Sequence, residues 1–166
     1  MRSGEKWVLA VIGVVVVIAM AKNIWHLSNQ TEPDPGIPFY SSASAAVNRA
    51  GSDIYRSLRC KDCHSLWTVR NMLEFVPAPA LDGIGSLRNE AWFYIYFSAK
   101  DPQSILPSRL KREYQMPSYA HLPEQDRRML AAYMAGLKVK NWYLAETKKA
   151  EYEKLTGKDY SPGPAR

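Results

Sequence analysis

The sequence holds only two cysteines and three histidines in 166 residues, and it contains no internal repeat. It carries no Ser-His-Asp set, no plausible carboxylate pair and no phosphate-cradling loop, so nothing is arranged for hydrolysis or phosphoryl transfer. Asp82, Glu90 and Asp101 are lone acids near turns and read as caps. No stripe of Lys and Arg interleaves with stacking aromatics, which removes a nucleic-acid partner despite a net charge of +6. The late basic residues in "ETKKAEYEKLTGKD" alternate with acids and read as solvated helix faces. No segment offers the alternation of a sustained β-sheet. What is present is ordinary for a folded chain, 46% apolar and 23% charged, and the length supports one soluble domain at most.

Charge is also missing from "WVLAVIGVVVVIAMA", Trp7 to Ala21, just after Arg2 and Lys6. Two readings fit. A cleavable export signal would use the small-x-small form of Ala19-Met20-Ala21. A retained anchor would use Trp7 to Trp25, ~28 Å of helix at ~1.5 Å per residue, close to one hydrocarbon thickness. Trp7 and Trp25 would then form an aromatic belt, with Lys22 snorkelling outward and Arg2 and Lys6 held inside. We therefore expect a membrane anchor over 1–27. Pro- and Ser-rich "SNQTEPDPGIPFYSS" predicts a semi-extended spacer over 28–43. A soluble domain over 44–140 and a helical extension with a tail over 141–166 follow.

Within the soluble part, helices are expected from Ser44 up to the cysteines, over "RNEAWFYIYFS", over "LPEQDRRMLAAYMAGLK", and from Trp142 to Leu155, with Pro- and Gly-broken loops between. This predicts an all-α domain with long loops. Long loops in a small helical domain signal that something other than side chains fills the core.

The cysteines say what. In "SLRCKDCHSLW", Cys60 and Cys63 lie on one face of a turn, with His64 next to them. Two thiols adding to the two vinyl groups of haem, with the adjacent imidazole binding iron, need this order and spacing. Zinc would need a further pair of Cys or His ligands, and the chain has only His26, beside the apolar segment, and His121. A redox dithiol expects a preceding strand and a βαβ fold, which are not there. One motif implies one covalent haem c.

His64 leaves a sixth position on iron, for which Met72, Met116, Met129, Met134, His26, His121 or an open site compete. Met129 and Met134 fall on the apolar stripe of a helix and read as core. Met72 is close in sequence to the attachment turn. Met116 stands in a loop held by Pro117, between Tyr114 and Tyr119, far enough along to wrap round the haem edge, and is the expected ligand.

With these residues the chain resembles class I cytochromes c from about Ala45 to Lys138. The resemblance implies that Gly51 and Tyr55 on the first helix cross Leu130 and Tyr133 on the last. It also implies that Pro79 of "APALDGIG" accepts the proton of the ligating His64 on its carbonyl, and that Trp92 or Arg88 could reach the haem propionates. The alternatives are core packing for Trp92 and solvent for Arg88. Within the family, "EAWFYIYFSAKDPQSILP…YQMPSYAHLPEQDRRMLAAYMAGL" looks most like the anchored monohaem subunits of respiratory complexes, such as C-family haem-copper oxidases and nitric oxide reductases. That implies one-electron transfer, no activity of the chain alone, and partners among the other subunits or a soluble redox protein. A freestanding tethered shuttle, or a haem enzyme or gas sensor with an open sixth position, are the alternatives. Because haem c is attached outside the bacterial cytoplasmic membrane, a single-pass anchor with the haem domain on the periplasmic side is expected, the positive end staying inside.

Overall fold

The computed structural model describes residues 3–29, 36–67 and 78–161. The chain divides into two compact units, one up to Gly36 and one from Ile37 onward. The first is a single helix, α1 (Ser3–Asn29). Its Gly4–Trp25 stretch, 22 residues of mean hydropathy 2.3, is long and apolar enough to cross a membrane. Its large apolar side chains, from Trp7 through Val17 to Trp25, are exposed along its length. A helix apolar all round has no polar face to turn toward water.

The second unit is built from four helices: α2 (Ala45–Ser57), α3 (Glu90–Ser98), α4 (Glu124–Gly136) and α5 (Leu144–Thr156). Ser44 caps α2 by accepting from Val47 N, and Asn89 caps α3 by accepting from Trp92 N. The segment "RNEAWFYIYFS", whose aromatics would also suit a strand, is therefore helical once Asn89 supplies the start signal. α4 begins at Pro123, which needs no amide donor there, and carries Glu124 and Asp126 in its first turn.

α4 packs on both α2 and α3 and forms the centre of the core, with Leu130 fully buried and Tyr133 and Met134 nearly so. The crossing of α2 and α4 is close because Gly51 has no side chain. A Cβ there would overlap the Cβ of Tyr133, and Tyr55 instead reaches Tyr133 ring to ring at 6.3 Å. Gly85 serves the same end beside Ala135, whose carbonyl would collide with a Cβ.

The expectation of an all-α domain needs one correction. Phe39–Ser41 (β1) and Leu137–Val139 (β2) pair antiparallel, Phe39 opposite Val139. Three residues a side are too few to show periodicity in a sequence; tertiary closure makes them a ladder. Residues 39–43, read as spacer, thus belong to the haem-motif domain, and Ser42 N donates to Gly136 O at 2.9 Å. The extension from Trp142 also folds onto the domain as a short turn over Asn141–Tyr143 followed by α5.

Candidate haem site

The attachment turn is made locally. α2 ends at Leu58, and Arg59 takes a left-handed conformation (φ 57°) that turns the chain into a 3-10 turn over Cys60–Asp62. Arg59 and Asp62 close an ion pair of 2.6 Å across that turn. His64 N donates to Cys60 O at 2.9 Å, so both cysteines and the histidine are carried on one compact bend. The two thiols are not joined in a disulfide. Burial pushes the Cys60 thiol up to about 11, partly countered by its hydrogen bond with Tyr119, and burial raises Cys63 too.

His64 is fixed by the segment that follows. Its Nδ1 lies 2.8 Å from the Pro79 carbonyl, which can only accept. Nδ1 therefore carries the proton and Nε2 the lone pair. Burial lowers the histidine pKa, and the Pro79 bond offsets this in part, so the ring is neutral and basic at Nε2. The bend and the loop are stitched together by Leu81 N donating to Ser65 O (2.9 Å) and Trp67 N donating to the buried Asp82 carboxylate (2.6 Å).

Met116 arrives by a longer route. After α3 the chain turns at Asp101, which caps Pro102–Ser104 by accepting from Gln103 N. A second short turn, Arg112–Tyr114, precedes the methionine. The Gln103 side chain bridges this loop: its oxygen accepts from Ser108 N (3.0 Å), and its amide donates to Met116 O (3.4 Å). Ser118 Oγ donates to Ala99 O at 2.7 Å and closes the loop's base.

Cys60, Cys63, His64, Pro79 and Met116 all line one cavity of about 430 Å³. That is the size of a small-molecule or cofactor pocket, ~300–1,000 Å³. The walls are mainly apolar, with Phe93, Phe97, Leu106, Leu130 and Met134 among them. Two thiols, a tautomer-fixed imidazole and a thioether around an apolar space suit haem c. Among the described residues no group of three or more His, Cys, Asp or Glu side chains is placed to hold a bare metal ion.

Of the other candidates for the sixth position, Met134 lines the cavity from α4, whereas Met129 faces a shallow surface groove with Val47 and Arg128. His121 is exposed. Met72 and the His26 side chain lie outside the described residues. Of the three lone acids, Asp82 and Asp101 accept backbone N–H groups and Glu90 sits in the first turn of α3. Arg88 is not in solvent: it pairs with Glu151 and lies over the Trp92 ring, 4.6 Å from its centre. Gln103 and Glu151 were not legible as site residues, because each acts through a contact that no local pattern announces.

Neither curated proteins nor solved structures give a match to this chain. The family model for cytochrome c matches residues 49–138, more than half of the sequence and the stretch that holds the attachment turn, the Pro79 loop, Met116 and α4. This chain therefore belongs to the cytochrome c family, a haem protein with covalently attached haem c that transfers electrons.

Proposed function

We propose that this protein is a membrane-anchored monohaem electron carrier, a subunit of a membrane respiratory complex, in which Cys60 and Cys63 hold the haem and His64 and Met116 bind its iron. The observation that carries the electron-transfer reading is the presence of His64 and Met116 in the wall of the same cavity. When bound, haem c would supply a one-electron couple, and a histidine together with a methionine holding its iron would raise the potential toward that of terminal acceptors. The chain's own part is positional. Pro79 holds His64 in the tautomer that presents Nε2, Gln103 tethers Met116, and the apolar walls keep water from the cavity. With His64 and Met116 both holding the iron, no vacancy would be left for a substrate, which speaks against a gas sensor or haem enzyme.

The helix α1 supports the anchor, and the basic Arg2 and Lys6 at its N-terminal end support a periplasmic haem domain. Membership of a complex, with the other subunits or a soluble redox protein as partners, rests on the resemblance of the loop and α4 segments to such subunits. The testing experiment is to isolate the chain from membranes in mild detergent and record spectra of both redox states. Expected are a stable assembly larger than the chain and, in the oxidised protein, the weak far-red absorption that reports methionine sulfur on iron. Recovery as a lone chain would favour the tethered shuttle. Rapid carbon monoxide binding by the reduced protein would favour an open sixth position.

A further inference from the structure

The helix α5 lies beyond the residues matched by the family, 49–138, yet Glu151 and Leu155 on it form part of the cavity wall. Glu151 pairs with Arg88, 63 residues earlier, and the two side chains are only 15% and 16% exposed. Arg88 in turn lies over the Trp92 ring, and Trp92 also lines the cavity. One turn further along, Arg109 Nε donates to the Lys154 carbonyl at 3.3 Å, and the Arg109 side chain packs beside Gly157, where α5 ends. Arg109 belongs to the segment that leads to Met116. The extension is thus fastened twice, to the wall that carries Arg88 and to the approach of Met116.

We propose that α5 is a strap over one edge of the haem cavity, and that Glu151 is a positioning residue that fixes Arg88 there and sets the charge presented to the haem. The inference rests on haem c occupying this cavity and goes beyond the proposed function. A guanidinium with five donors in a planar fork can serve Glu151 and still offer donors to another acceptor. Oxidised iron carries one positive charge more than reduced iron, so nearby net charge shifts the one-electron balance. With Glu151 in place the pair is neutral. Without it, Arg88 would stand uncompensated and favour the reduced state, so Glu151 lowers the potential.

The test uses the full-length, haem-loaded protein in detergent and compares redox titrations of the native chain with Glu151→Gln, Glu151→Asp and Arg88→Gln. Glu151→Gln is expected to raise the potential by about tenfold in the one-electron equilibrium, ~59 mV. Arg88→Gln is expected to lower it, and Glu151→Asp to return it close to the native value. Hydrogen exchange of the α5 amides should quicken about tenfold in both Gln variants. Native potentials in both Gln variants, with haem attached in each, would overturn the positioning role, and unchanged α5 exchange would overturn the strap. Absence of the methionine-sulfur absorption in the native protein would count against Met116 as ligand and would leave this comparison intact, since all variants share one coordination.

Discussion

The cavity is held by two segments of opposite construction. His64 is secured within a short span: the turn at Cys60–Asp62, the Pro79 carbonyl at 2.8 Å, and Asp82 drawing Trp67 in at 2.6 Å. Met116 hangs on a loop from Ala99 to Tyr119, tied at its base by Ser118, to α5 by Arg109, and at Met116 itself by one long Gln103 contact of 3.4 Å. The first segment is a fixed jig and the second an adjustable one. A carrier of this kind needs the covalent side immobile, whereas the other side is where a protein can tune the iron by small shifts.

Changing Cys60 and Cys63 together to Ser should have the largest effect. Without thiols no thioether can form, and haem retained on a denaturing gel should fall by about a hundredfold or more. Retained covalent haem in that variant would break the comparison at its root. Met116→Ala should leave attachment untouched, since no part of the Cys60–Pro79 network involves it. It should abolish the far-red absorption of the oxidised protein and lower the potential. Attachment lost in step with the absorption would mean that the two segments are not separable.

Part of the jig was legible in the sequence, because it is written in short-range order: Cys60, Cys63 and His64 by spacing; Gly51 meeting Tyr133 was implied by the family resemblance, and the start of α4 was marked by Pro123 and the acids after it. The adjustable segment was legible only as a methionine beside a proline. Gln103 is a polar residue in a turn, and its bridge to Ser108 and Met116 exists only once the loop closes. The strands Phe39–Ser41 and Leu137–Val139 are too short for a pattern, and Glu151 sits among alternating charges that look like a solvated face. What escaped are contacts between residues distant in sequence, each made by a side chain whose type is common on surfaces.

Asp82→Ala should cost about 2–3 kcal/mol of stability, measured by denaturant unfolding of the haem-loaded protein. Trp67 is held in the left-handed region (φ 55°), a conformation costing ~1–2 kcal/mol for a residue with a Cβ. The buried carboxylate accepting its N–H offsets that cost, and removing it leaves both the strain and an amide without its charged partner. Asp82→Asn keeps an acceptor and should lose about half as much. A loss below about 0.5 kcal/mol for the alanine variant would show that the jig does not depend on this bond.

Gln103→Ala should have the smallest effect on stability and the most specific one on the iron. The side chain makes two neutral hydrogen bonds, one at ordinary length and one long, so its loss should cost about 1 kcal/mol. Because the amide bears on the Met116 carbonyl and on nothing in the Cys60–Asp82 segment, that loss should fall on methionine coordination alone. On warming, the far-red absorption should fade well before the protein unfolds, whereas in the native protein the two events should lie closer together. Gln103→Glu tests the geometry from the other direction: a carboxylate can still accept from Ser108 N but cannot donate to the Met116 carbonyl. If the absorption of that variant is as heat-resistant as the native one, the methionine loop is held by Ser118 and Arg109 and not by Gln103.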